Sequence, residues 1–277
     1  MFSNAKSVAG EIYNRFINDD GLPLAGNIAF CTLLAVFPFL IFLTALAGFF
    51  SSRNLAEAVV TYLLAAGPSQ ITAPLANEAH DILTVPRGNL LTLSVLVTLY
   101  TAAGGVESIR TGLNRAYDMT ETRLWPFRMV QNIVFVVAGA FVLIALAALL
   151  VFGPVYWSRM AGVLPVLEPF SGWFYLLRNP AGLMLMFIAL LSAHMFLPRK
   201  RHPVRELLPG IAATMVLWLI AAFAYSDYLS RFSTVRLMYA GLSNVIIALL
   251  FLYISAAVLI LGGEINQVLI ARRTRVP

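Results

Sequence analysis

Charged residues are scarce in this 277-residue sequence: Asp, Glu, Lys and Arg make up 12%, about half the share found in an ordinary soluble domain. A chain of this length cannot cover a water-exposed surface with so few charges, so the deficit excludes a soluble globular fold. Cysteine is rarer still. Cys31 is alone and lies inside an apolar run, which excludes an internal disulfide and leaves the redox compartment unread. The histidines, His80, His194 and His202, are far apart, with no HExxH, no His/Cys metal spacing and no phosphate loop. No catalytic residue, metal or other cofactor is therefore expected. Lysine is confined to Lys6 and Lys200, so arginine carries the net charge of +6.

What is present is apolar: 60% hydrophobic residues and a mean hydropathy of +0.83. This is the composition of an integral membrane protein. Arginine at helix ends then explains the basic balance more simply than a nucleic-acid partner. No apolar core follows Met1, so residues 1–23 do not read as a cleavable signal. Phe2, Ala5, Val8, Ala9, Ile12, Tyr13, Phe16 and Ile17 recur at helical spacing, with Lys6, Glu11, Asn14 and Arg15 opposite. That pattern predicts an amphipathic helix on the membrane surface.

Long apolar runs then predict an all-α, polytopic fold in a single membrane domain of six spans, at about 24–50, 89–113, 129–152, 180–197, 207–229 and 239–270. Residues 51–88 form the longest polar connection and read as an outer amphipathic region interrupted at Gly67-Pro68. Gly153-Pro154 reads as the end of the third span, followed by a loop whose Trp157, Trp173, Phe174 and Tyr175 suit an interfacial belt. Arginine and lysine divide twelve to six between alternate connections, with Arg110 left out as part of a span. The richer set includes both termini, which should be cytoplasmic.

One stretch breaks the apolar rule. In Leu99–Asp118, Glu107, Arg110, Asn114 and Tyr117 fall on one helical face, one turn after Gly104-Gly105. Ionisable residues at membrane depth are costly and usually face a bundle interior or a watery cavity. Glu264 follows Gly262-Gly263 in the same manner near the end of the last span, with Asn266 beside it. Asn27, Asn244, Glu264 and Asn266 join the face of Glu107, Arg110, Asn114 and Tyr117 as candidates for a solute path. Pro38 and the glycine pairs Gly104, Gly105, Gly262 and Gly263 are candidate helix breaks. Glu107 and Arg110 also suit a purely structural ion pair, and Asp227 reads as structural at the outer interface. Small and amide residues such as Ser243 and Asn244 most often serve helix packing, which is the first reading of this pair.

Three ordered blocks carry a resemblance. Ala25-Gly26-Asn27-Ile28-Ala29-Phe30 leads to Phe37-Pro38; Gly105 leads through Asn114-Arg115-Ala116-Tyr117 to Glu121-Thr122-Arg123. Leu208-Pro209-Gly210 is followed by Tyr239-Ala240-Gly241-Leu242, Leu252-Tyr253-Ile254-Ser255 and the closing Gly262-Gly263-Glu264-Ile265-Asn266. Together they resemble the YihY/BrkB family, once catalogued as ribonuclease BN. The resemblance implies a six-span bacterial inner-membrane protein with cytoplasmic termini and no settled activity.

The residues favour a transporter or exporter of a small polar or amphiphilic solute, through a cavity between spans one, two, five and six. The alternative is a non-transporting scaffold for envelope integrity or lipid handling; the nuclease label fits least, and the chain reads as a non-enzyme. Membrane lipids, a small solute and a second copy of the chain are the partners this reading admits.

Overall fold

The structure, a computed structural model, describes residues 2–50, 88–231 and 242–275. The expected outer region at 51–88 lies outside them except for Gly88, as do residues 239–241 of the expected last span. Every regular element among the described residues is helical. Helix α1 (Phe2–Asn18) is followed by α2 (Gly21–Phe50), α3 (Gly88–Ala116) and α4 (Trp125–Leu146). A π-helical turn (Ala147–Phe152) joins α4 to α5 (Gly153–Val163), and a 3-10 turn (Pro165–Phe170) leads into α6 (Ser171–Phe196). Helices α7 (Val204–Arg231) and α8 (Leu242–Arg275) complete the bundle.

Four stretches among these residues are long and apolar enough to cross a membrane: Trp125–Leu150, Glu168–Phe196, Val204–Tyr228 and Val245–Thr274. Their outward faces carry exposed Val130, Val134, Leu176, Val216, Ile220 and Phe223, as expected where lipid rather than water is the solvent.

Local chemistry sets the ends. Among the described residues, Asp20, between α1 and α2, and Asp118, after α3, are the non-glycine residues with positive φ, at 58° and 55°. Aspartate tolerates this left-handed conformation, which stops a helix and turns the chain. Behind Asp118, the Met119 N–H returns to the Asn114 carbonyl at 2.7 Å and closes the end of α3. At Gly21 a Cβ would lie 2.5 Å from the Phe16 ring and 2.6 Å from its carbonyl oxygen, so the turn into α2 needs glycine.

Several helices run further than hydropathy alone indicates. α4 begins at Trp125, with Pro126 in its first turn, where a missing N–H costs nothing. Gly153-Pro154 opens α5 for the same reason, and the chain stays helical there because the π turn absorbs the change in register. The expected aromatic loop is therefore helical. Trp157 stacks on Phe174 at 4.5 Å and donates through Nε1 to Ser171 Oγ at 2.9 Å, folding α5 onto α6. Pro180 lies inside α6.

The candidate breaks likewise lie in continuous helix: α2 runs past Pro38, α3 past Gly104-Gly105 and α8 past Gly262-Gly263. Most of these glycines sit where neighbours approach. A Cβ on Gly105 would lie 3.7 Å from Ala35 of α2, and one on Gly263 would lie 2.9 Å from Ala116 of α3. Gly210 and Gly262 bring the backbones of α7 and α8 together, with the Gly262 carbonyl against Gly210 and Thr214 Oγ1 against Gly262. Trp218 Nε1 donates to the Ser255 carbonyl at 3.0 Å higher on the same seam.

The core follows from these approaches. α3 packs on α2, α4 and α8, while α8 also holds α1, α2 and α7, and α6 bridges α7 and α4. Leu113 and Tyr117 meet Leu190, Leu197, Leu207, Ile211 and Leu259 in one buried cluster, and Ala25, Ile28, Ala116, Ala256 and Ile260 form another.

Gly210→Ala should lower the melting temperature of the detergent-purified protein. Overpacking against backbone costs about 1–3 kcal/mol, which at roughly 2–4 °C per kcal/mol is a drop on the order of 2–12 °C. Gly139→Ala, where a Cβ meets nothing within 4 Å, is the control and should leave it unchanged or slightly raised.

Candidate functional site

Arg110 is a charged residue buried inside the bundle. Its side chain is 1% exposed, and a buried guanidinium must be paired and hydrogen-bonded to remain charged. Glu107, one turn earlier on α3, accepts from Arg110 Nη1 at 2.7 Å. The same carboxylate accepts from Asn132 Nδ2 at 2.8 Å and from Arg128 Nη1, both on α4. Gln131 lies between those two and uses its carbonyl to accept from Arg110 Nη2 at 3.1 Å and Arg123 Nη1 at 3.0 Å. Its amide nitrogen donates to the Phe196 carbonyl at 2.6 Å, at the end of α6.

Asn114, a turn below Arg110, continues this surface into the 117–124 connection. Its Nδ2 donates to Glu121 Oε2 at 3.0 Å, and its Oδ1 accepts from the Arg199 N–H at 2.8 Å. Arg123 grips Glu121 with two parallel bonds of 2.9 and 2.7 Å. The Arg123 guanidinium and its N–H, with help from Asn114, hold the Glu121 carboxyl at about 2, well below the ordinary 4.5.

Two cavities meet at Glu107 and Arg128. The first, 220 Å³, is lined by Glu107, Arg110, Thr111, Asn114, Arg115, Met119, Glu121 and Arg128, with Asp20 just before α2 and Leu24 in its first turn. The second, 340 Å³, lies between α3 and α4 and is lined by Tyr100, Thr101, Ala103, Gly104, Trp125, Met129 and Asn132 besides the shared pair. A charged wall between two such spaces can do two things: bind a zwitterion or an anion, and open when the pair separates.

The other candidate residues lie elsewhere. Tyr117 falls beyond the last residue of α3 and is buried with α6, α7 and α8. Its hydroxyl accepts from Asn266 Nδ2 at 2.9 Å and shares a hydrogen bond of 2.8 Å with His194 Nδ1, while its ring stacks on His202 at 5.4 Å. Asn266 Oδ1 accepts from the Gly210 N–H at 2.7 Å. Glu264 is fully buried and accepts from Arg15 Nε at 3.0 Å; Arg15 also reaches Asp118 at 2.8 Å. Glu264 and Asn266 thus tie α8 to its neighbours and do not line either cavity. Asn27 is on an exposed face of α2, accepting from the Cys31 thiol at 3.6 Å. Asn244 lies in the first turn of α8, and its side chain is outside the described residues.

Sequence reading singled out the α3 face and missed its partners. Arg128 and Asn132 are spaced i, i+4 with Gln131 between, a signal that was present. Their pairing with a residue 21 and 25 positions away was not.

Two outcomes follow from this geometry. Glu107→Gln leaves Arg110 buried without a counter-charge and should cost about 3 kcal/mol. Adding Arg110→Gln should recover part of that loss in a double-mutant cycle followed by thermal unfolding. The second concerns acid. Because Glu121 titrates lower in the folded chain, its contribution is present above pH 4.5 and fades as pH falls towards 2. The difference in melting temperature between parent and Glu121→Gln should therefore narrow between pH 5 and pH 2, the parent being the more stable at pH 5.

The family described as virulence factor BrkB matches residues 12–276. The chain is 25% identical over 265 residues to a Bacillus subtilis protein described as ribonuclease-like, YfkH, covering 95% of each. It is 24% identical over 276 residues to a UPF0761 membrane protein of Alteromonas mediterranea, covering 95% of this chain and 89% of the relative. A UPF0761 membrane protein of Coxiella burnetii is 23% identical over 277 residues, covering 97% and 95%. No solved structure matches. With its apolar helices and a match that runs from α1 to beyond the end of α8, the chain belongs to the BrkB family of membrane proteins.

Proposed function

We propose that this protein is a six-span permease of the bacterial inner membrane, with both termini cytoplasmic, that moves a small polar or amphiphilic solute. The observation that carries the proposal is the wall of Glu107 and Arg128 shared by the two cavities. An ion pair that only stapled α3 to α4 would gain nothing from space on both sides. Open space beside a partly buried pair admits water and solute, and a charged solute group can replace either partner at little electrostatic cost.

The path runs between α3 and α4 and past the first turn of α2. Glu107 and Arg110 supply both signs of charge, which suits a zwitterionic or anionic solute. The arginine and lysine bias supports the orientation and puts the Glu121–Arg123 end of the site at the cytoplasmic surface. In this reading α1 is an interfacial helix, anchored through Arg15 to Glu264 and through Arg272 to Glu11. The chain has no catalytic role in it, and the ribonuclease-like description remains that of the Bacillus subtilis relative.

Reconstitution into liposomes tests the proposal, with zwitterionic osmolytes, organic anions and short-chain amphiphiles as candidate solutes. The parent should give saturable flux of at least one class, and Arg128→Gln should abolish saturation or leave an ungated leak. Flux no greater than that of empty liposomes for every class, with Arg128→Gln merely less stable, would sink the permease and favour a scaffold.

A further inference from the structure

The second cavity has an uneven lining. Its mouth is apolar and aromatic: Tyr100 is 63% exposed and Trp125 60%, with Met129 beside them. Leu96, Tyr100 and Gly104 form an i, i+4 row on α3 leading away from the mouth, and Leu96 is also exposed. That row faces the surface where lipid tails would lie. Trp125 opens α4, so the floor residues Arg128 and Asn132 sit three and seven residues into it, about 5–10 Å along the axis. Tryptophan at a helix start marks the headgroup level. The floor therefore lies at the boundary between headgroups and acyl chains.

The floor is polar and incompletely satisfied. Asn132 is 3% exposed; its Nδ2 is used by Glu107, but its Oδ1 has no partner among the described residues. Arg128 gives Nη1 to Glu107, but its buried Nε has none. One acceptor and one donor are thus left over, beside a carboxylate and a guanidinium. Buried polar atoms without partners are costly, and both residues line the cavity. The matching ligand group carries an anion and a hydrogen-bond-donating cation a few ångströms apart.

We infer that this cavity holds one phospholipid with a phosphoethanolamine headgroup, its phosphate on Arg128 and its ammonium between Glu107 and Asn132 Oδ1. One tail lies along the Leu96–Tyr100 row. A choline headgroup has no N–H for Asn132, and a phosphoglycerol headgroup has no cation for Glu107, so both should bind less well. The inference concerns occupancy and does not require transport.

Native mass spectrometry of the detergent-purified protein tests it, with phosphatidylethanolamine, phosphatidylcholine and phosphatidylglycerol of matched chains and with free phosphoethanolamine. Gly104→Leu is the decisive variant. A Cβ on Gly104 meets nothing within 4 Å, so leucine fills the cavity without crowding the bundle. The parent should retain one phosphatidylethanolamine per chain at least tenfold better than the other two lipids. Gly104→Leu should lose that selectivity with its lipid-free melting temperature unchanged, and Arg128→Lys, which keeps the charge but not Nε, should weaken it.

Equal retention of all three lipids, unaffected by Gly104→Leu, would overturn the inference. So would displacement by free phosphoethanolamine at concentrations comparable to the lipid, which would make the occupant a water-soluble solute. Loss of flux with lipid selectivity intact removes only the permease; the reverse removes only this site.

Discussion

A guanidinium buried at the centre of a bundle dictates the arrangement around it. Arg110 cannot release its proton and cannot reach bulk water, so its charge is fixed and must be answered inside the protein. Glu107 supplies the counter-charge, but a lone carboxylate in a low-dielectric setting is as costly as the arginine. Hence Arg128 and Asn132 on α4 complete the carboxylate, and Gln131 takes the second Arg110 bond. Gln131 in turn is shared with Arg123 and finishes on the Phe196 carbonyl, while Arg123 reaches the carbonyl of Leu197. Those carbonyls end α6, where the helix dipole favours donors and positive charge. One buried charge thus joins α3, α4, the 117–124 connection and the end of α6.

On the other side of α3 the polar contacts have a different character. Tyr117, His194, Asn266 and the Gly210 N–H form a relay through α6, α8 and α7, in which each bond links two different elements. Together with the close backbones at Gly210 and Gly262, it makes α6, α7 and α8 a stiff block. The α2–α3–α4 side has the cavities and the ionic contacts, which tolerate rearrangement better than interlocked glycines. Asn114 is the joint between the two, with one amide atom on Glu121 and the other on the Arg199 N–H.

How much of this could be read in advance depends on the range of the interaction. Apolar run length dictates helices because lipid leaves the backbone no other way to satisfy itself, and that part was legible. So was the Glu107–Arg110–Asn114 face, since i, i+3 and i, i+4 neighbours are fixed by helix geometry. Tyr117 departs from the face because α3 ends at Ala116 and Asp118 turns left-handed; the periodicity was carried past the end of its helix. The glycine pairs were read as breaks, yet glycine within a helix serves equally for close approach. Only the neighbour's position decides between these uses, and Thr214 and Ala116 are far away in sequence. Nothing in the local spacing links Arg128 to Glu107, because the two lie 21 residues apart.

The single cysteine acquires a use from where α2 and α3 touch. Cys31 is half-buried, its thiol turned towards Asn27. Its carbonyl oxygen lies 3.8 Å from where a Cβ on Gly105 would stand, at a close contact between the two helices. A spin label or fluorophore coupled to the native thiol therefore sits beside the seam that borders the charged face of α3. The unmodified sequence thus offers a one-site spectroscopic reporter, with no competing thiol to remove, for watching that seam in a lipid bilayer.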